Sequence, residues 1–128
     1  MPIRTLAGYD LIGILRVPSQ GLELPILNDW SYSLLNIAPC RYSGSLEQNN
    51  LILLGHNFRS HLASLAHVKP GDTVEFVDIH GTVHRFLVDI VATIRGTDVE
   101  ALESDHPLIL FTCTQDSAHR IVVRCTSV

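Results

Sequence analysis

Three residues in this chain of 128 have the chemistry to make and break an acyl bond: Cys113, Arg120 and His56. Cys113 ends the apolar run Leu108-Ile-Leu-Phe111, one residue after Thr112, and Arg120 opens a second β-branched run, Ile121 to Val123. The six residues between them, Thr114 to His119, are polar or small. Two apolar runs around a short polar loop predict a β-hairpin with Cys113 and Arg120 facing each other at its mouth. Residues directly opposed in an antiparallel pair have Cβ atoms about 4.5–5.5 Å apart. A cation at that distance favours thiolate over thiol, and it can also meet an oxyanion. Taken alone, the hairpin reads equally well as a buried structural cysteine beside a surface arginine.

His56 offers a proton carrier. It follows Gly55 at the end of a short apolar run, Leu51-Ile-Leu-Leu54, and glycine leaves space beside the imidazole. One histidine among seven says little by position alone. Its company at strand ends, with Cys113 and Arg120, gives it weight. A Cys–His pair is the minimum for thiol acyl transfer: the imidazole protonates a leaving amine and later deprotonates the incoming nucleophile.

The elements that must hold these residues are mostly strands. Asp10 to Val17 and Leu22 to Leu27 read as the first two, separated by Pro18-Ser-Gln-Gly21, with Pro25 marking the second as an edge or a bulge. Asn28-Asp29 can cap a short helix over Ser31 to Ile37 that turns Leu34, Leu35 and Ile37 inward. Pro39 to Gly44 is extended, Ser45 to Asn50 is a polar loop, and Leu51 to Leu54 is too short for a helix and so reads as a buried strand. Helical spacing over Ser60 to Val68 ends at Lys69-Pro-Gly-Asp72. Thr73 to Ile79 and Thr82 to Ile94 are strands joined through His80-Gly81, and Thr97 to Leu102 has room for one helical turn. Many short strands with two short helices predict a single all-β domain, residues 1–128, a barrel or a sandwich.

Composition narrows the function classes. With 46% hydrophobic and 17% charged residues the chain is globular. A net charge of −4 and the lack of a basic stripe argue against a nucleic-acid partner. No apolar run approaches the roughly 18–20 residues of a bilayer span, and Met1-Pro-Ile-Arg-Thr-Leu has no signal-peptide core.

The motifs in chain order carry a family resemblance. Leu110-Phe-Thr-Cys113, followed by Arg120 at the head of a Val-rich strand, resembles the Thr-Leu-x-Thr-Cys and Arg signature of sortases. Gly55-His56-Asn57, then Leu65 and Lys69-Pro-Gly-Asp-Thr-Val-Glu-Phe76, is similar to the segment around that family's catalytic histidine. Ile12-Gly-Ile-Leu-Arg-Val-Pro-Ser19 and Leu24-Pro-Ile26 resemble its first two strands, so the likeness runs from about Leu11 to Val123. Two departures are Ile109, where the signature has its first Thr, and the short link of six residues between Cys113 and Arg120.

The resemblance implies an eight-stranded sortase-type β-barrel and a cysteine transpeptidase of the Gram-positive cell surface. Cys113 is then the nucleophile toward a Leu-Pro-x-Thr-Gly-like sorting signal, His56 the general acid and base, and Arg120 the group that holds the carbonyl oxygen. Thr112, Asn57 and Leu110 are expected to line the substrate site. The acyl group passes to an amine, either a cell-wall precursor or a pilin lysine. Hydrolysis by a thiol peptidase and a non-catalytic binding module are the rival classes. Family members usually carry an N-terminal membrane helix, which is expected to lie outside this sequence. Only Met1 to Tyr9 precede the first expected strand, so no lid of the kind found in pilin-assembling relatives is expected here.

No cofactor or metal is expected. Calcium-stimulated members of the family that the chain resembles place several carboxylates beside the loop between the sixth and seventh strands. Here Glu100, Glu103 and Asp105 fall in that segment with only Glu47 expected opposite, too few for the six to eight oxygens calcium takes. His56, His61 and His67 match no common zinc spacing. Trp30 and Tyr32 are assigned to packing rather than to a substrate rim. With Cys113 given to chemistry, Cys40 and Cys125 remain as an even pair in a protein expected outside the reducing cytosol, and a disulfide between them is predicted.

Overall fold

Side chains alternate across a strand with a period of two, and in the computed structural model, which describes residues 1–55, 67–95, 105–113 and 119–128, this alternation divides the apolar residues between two cores. One core takes Ile12, Leu15, Ile26, Leu53, Phe76, Val88, Leu110, Val123 and Cys125, drawing on strands all round the sheet. It is the barrel interior. The other takes Leu27, Leu35, Ala38, Cys40, Leu54, Ile109, Phe111 and Val122, which come from one side of the sheet and the segment that crosses it. It is an outer core.

The elements are β1 (Arg4–Leu6), β2 (Tyr9–Val17), β3 (Leu22–Leu27), α1 (Tyr32–Leu35), β4 (Cys40–Ser43), β5 (Leu51–Gly55), β6 (Thr73–Asp78), β7 (Val83–Arg95), β8 (Leu108–Cys113) and β9 (His119–Ser127). Their order in the sheet is β1-β2-β3-β4-β5-β8-β9-β7-β6, and a further pairing of β2 with β6 closes eight of them into a barrel. The expected architecture is therefore the observed one, with β1 as an added flap. Closure turns on Gly13, where β2 bulges and passes from β1 to β6 while β3 stays on its other side. A Cβ at position 13 would fall on the Val77 carbonyl oxygen and the Phe76 ring. Only glycine allows that approach.

Several local expectations change. β1 lies within the stretch read as preceding the first strand. It folds back on β2 through Ala7 and Gly8, both with positive φ (54° and 84°), the geometry of a two-residue hairpin turn. Alanine is an unusual residue there, which hid the turn. The helix cap is Ser31 rather than Asn28 or Asp29: its hydroxyl accepts from the Leu34 N–H at 3.0 Å. Leu35 is buried, but Ile37 is 49% exposed and does not point inward. Pro25 sits as foreseen, because β3 joins β4 only through the Leu27–Cys40 pair and is otherwise an edge on that side. The second expected helix, Ser60 to Val68, falls outside the described residues except for 67 and 68, and the turn at Thr97 to Leu102 lies wholly outside them. Among the described residues no helix is long and apolar enough to cross a membrane.

Candidate active site

β8 and β9 form the hairpin pair that the sequence predicts, and the ladder ends with Cys113 opposite Arg120. On the other side of β8 runs β5, parallel to it, with Gly55 in register with Thr112. This parallel pairing was not foreseen. The signal for it was that Leu51 to Leu54 and Leu108 to Phe111 are unbroken apolar runs, as strands buried on both faces require. Neighbouring strands lie about 4.8 Å apart, so the end of β5 and the start of β9 flank the Thr112–Cys113 step from either side. His56 follows Gly55 directly in sequence. His56 and Asn57 lie outside the described residues, as do His61, Glu100, Glu103 and the hairpin link 114–118.

Thr112 is fully buried, and its Oγ1 has no hydrogen-bond partner among the described residues. A buried hydroxyl left unpaired costs about 1–3 kcal/mol, so native proteins seldom keep one without a use. Leu110 is likewise fully buried, within the barrel interior. Arg120 is half-buried, with its guanidinium carbon 5.5 Å from the centroid of the Phe111 ring. Phe111 meets Tyr42 edge-to-face at 5.2 Å, Tyr42 stacks on Trp30 at 5.7 Å, and Trp30 meets Tyr32 edge-to-face at 5.8 Å. Trp30 and Tyr32 thus belong to a packed aromatic row. The contact between its inner members, Tyr42 and Phe111, escaped the sequence reading because nothing in spacing shows that β4 and β8 lie on one face.

The other two cysteines are inert and unpaired. Burial raises the Cys40 thiol to about 11 and the Cys125 thiol to about 12, so both stay protonated near neutrality. Cys40 spends its S–H on the Ala38 carbonyl at 3.4 Å. The predicted disulfide does not form: both are free cysteines. They stand on β4 and β9, three strand spacings or about 14 Å apart, and face different cores. A bridge needs Cα atoms within about 7 Å. Counting thiols gave an even pair without showing that two strands intervene.

A second cluster of titratable groups lies at the opposite mouth. Asp78 accepts from the His80 and Thr82 N–H groups through Oδ1 and meets His84 Nε2 at 2.9 Å through Oδ2. The His84 hydrogen bond is the main cause holding its carboxyl below the usual range. A cavity of about 360 Å³ opens here, lined by Asp78, His84, Phe86, Pro107 and Ser127 among others. It is far from the Cys113–Arg120 pair, and the Asp78 carboxylate is already occupied.

Residues 15–128 match the family model described as Sortase domain. The chain belongs to the sortase family. No curated protein matches this sortase-family chain significantly. Among solved structures, sortase C of Streptococcus pneumoniae is 23% identical, with a TM-score of 0.82, and the match covers 92% of this chain and 66% of that one. Sortase A from Corynebacterium diphtheriae is 22% identical at a TM-score of 0.82, covering 94% of this chain and 61% of that one. Sortase C1 from Streptococcus agalactiae is 22% identical at a TM-score of 0.82, covering 97% and 70%. At these identities the likeness establishes the fold, and the sortase described here spans about two thirds of each relative's length.

Proposed function

We propose that this domain is a cysteine transpeptidase that cleaves a Leu-Pro-x-Thr-Gly-like sorting signal and passes the acyl group to an amine. The observation that carries the reading is the ladder end at Cys113 and Arg120, with Gly55, the residue before His56, in register beside it. Family membership supports the reaction class. The two remaining thiols, held protonated by burial, leave Cys113 as the candidate nucleophile.

In the first step the Cys113 sulfur attacks the Thr carbonyl carbon of the signal, and negative charge grows on the carbonyl oxygen. Arg120 donates hydrogen bonds to that oxygen. The intermediate collapses, the C–N bond breaks, and His56 gives its proton to the leaving amine, which yields a thioester. In the second step an acceptor amine attacks the thioester, His56 takes its proton, and the C–S bond breaks to free Cys113. Thr112 and Asn57 line the substrate groove. The acceptor is a cell-wall precursor or a pilin lysine, at the outer face of a Gram-positive membrane. The similar pneumococcal sortase C has pilin substrate specificity, which supports considering the second acceptor.

The test is a library of Leu-Pro-x-Thr-Gly variants incubated with protein and oligoglycine, diaminopimelate-type or lysine amines, read by mass spectrometry. The expected result is a thioester on Cys113 and an amine-dependent ligation product, both lost in Cys113→Ala. Cleavage that survives Cys113→Ala would refute the reading. Hydrolysis product alone, at saturating amine, would make the protein a thiol peptidase.

A further inference from the structure

Arg120 does not stand on the strand by register alone. Cys113 pairs with Arg120 and Phe111 with Val122, so Phe111 is the diagonal neighbour of Arg120 across the β8–β9 ladder. Diagonal neighbours are about 7–8 Å apart at the backbone, within reach of an aromatic ring and a long side chain. The ring closes that gap, for the guanidinium carbon lies 5.5 Å from its centroid. Phe111 is 2% exposed, so water does not compete for the contact from the ring side. A cation over a ring face is held most strongly where water is excluded, and a planar guanidinium can stack as well as donate.

The ring is itself fixed. Tyr42 stands at 80° to it, and the stack of Tyr42 on Trp30 ties that ring to the segment carrying α1. If the outer core needed only volume here, an aliphatic side chain would serve. Ile109, Leu54 and Val122, which share that core, are all aliphatic. The buried aromatic in this part of the strand pair is the one diagonal to Arg120.

We propose that Phe111 is a positioning residue for the reaction. Its ring face holds the Arg120 guanidinium at the end of β8, so that its donors are aimed before substrate arrives, and Tyr42 and Trp30 keep the ring in place. The inference rests on the oxyanion role proposed above for Arg120.

The test replaces Phe111 site-specifically with mono-, di- and trifluorinated phenylalanine. These rings keep nearly the same shape while fluorine withdraws negative charge from the face. A space-filling role predicts no trend. The positioning role predicts a stepwise fall in kcat/KM reaching roughly three- to thirtyfold, the range of a cation–π contact, carried by kcat with KM little changed and with an unchanged melting temperature. Phe111→Leu should fall at least as far. A second readout needs no turnover: the Arg120 Nε–H resonance, identified by its loss in Arg120→Lys, should be shielded by the ring in the parent and lose that shielding in Phe111→Leu. A flat kcat/KM series in a protein that turns over its sorting peptide would overturn the proposal, as would an Arg120 resonance that does not move. A parent that neither cleaves nor ligates would overturn the proposed function instead, while the resonance still reports whether Phe111 orders Arg120.

Discussion

The two mouths of the barrel differ in how their polar groups are paired, although each has one buried atom without a partner among the described residues: Arg16 Nε beside Glu75 at one, Thr112 Oγ1 at the other. At one, Asp78, His84 and Arg85 line a cavity of about 360 Å³, and Glu75 pairs with Arg85 behind them. Both carboxylates of this cluster are spoken for: Asp78 by two backbone N–H groups and His84, Glu75 by Arg85 at 3.0 Å and Arg16 at 3.8 Å. At the other mouth, Cys113 is in register with Arg120 and a fully buried threonine hydroxyl has no partner among the described residues. A cavity with titratable walls is the usual pointer to a site, and here it lies at the mouth away from the proposed one. Satisfied polar groups hold a turn together. An unsatisfied one beside a potential nucleophile costs stability and therefore asks for a use.

The sharpest way to test this contrast is a substitution that keeps charge and removes direction. Arg120→Lys retains the cation but replaces a planar fork of donors with a mobile point charge. Loss of one directed donor to an oxyanion typically costs about 10²–10³ in rate, so kcat/KM for peptide transfer should fall on the order of a hundredfold. Alkylation of Cys113 by a small reagent has no carbonyl oxygen to stabilise and should change far less. Equal losses in both assays would mean that Arg120 merely tunes the thiol.

That hairpin was the most legible part of the molecule. Both apolar runs, the polar link and the pairing of Cys113 with Arg120 follow from patterning over about twenty residues, because a hairpin is a local structure. What sequence could not show was long-range. The parallel partnership of β5 and β8 joins Leu51 to Leu108 across the intervening chain, and its only local trace is that neither run alternates. The same blindness produced the Cys40–Cys125 disulfide and left the ring contact between Tyr42 and Phe111 unread. At short range the misses were chemical: Ser31 rather than Asn28 or Asp29 caps α1, and Ala7 occupies a turn position that glycine or asparagine usually fills.

A smaller effect separates use from accident at Thr112. Valine keeps the shape of threonine without the hydroxyl. If Oγ1 is merely orphaned, Thr112→Val should stabilise the fold by about 1 kcal/mol, measured by urea titration, and leave turnover alone. If the hydroxyl meets the substrate, the same stabilisation should come with a loss in kcat/KM of roughly three- to tenfold, the worth of one hydrogen bond. The second outcome is expected. An unchanged kcat/KM would return Thr112 to the structural side of the comparison.

The smallest effect belongs to the opposite mouth. His84→Ala removes the main cause of the lowered Asp78 pKa. A carboxyl whose folded pKa is depressed stabilises the protein above its unfolded value, here near 3.8, and that contribution is lost as pH falls through the folded value. The parent and His84→Ala should therefore differ most in mildly acidic solution, where the carboxylate is ionised and an imidazole carries charge, by about 0.2–1 kcal/mol as for other surface pairs, and converge as the solution is acidified below 3.8. Added salt should shrink the difference, because the pair is open to solvent. Transfer activity at neutral pH should not change, since the turn that Asp78 holds through the His80 and Thr82 N–H groups survives without the imidazole. Urea titrations from pH 7 downward, with turnover measured on the same samples, decide the matter. A tenfold loss of transfer in His84→Ala would show that the two mouths are coupled through the barrel, and the division drawn between them would fail.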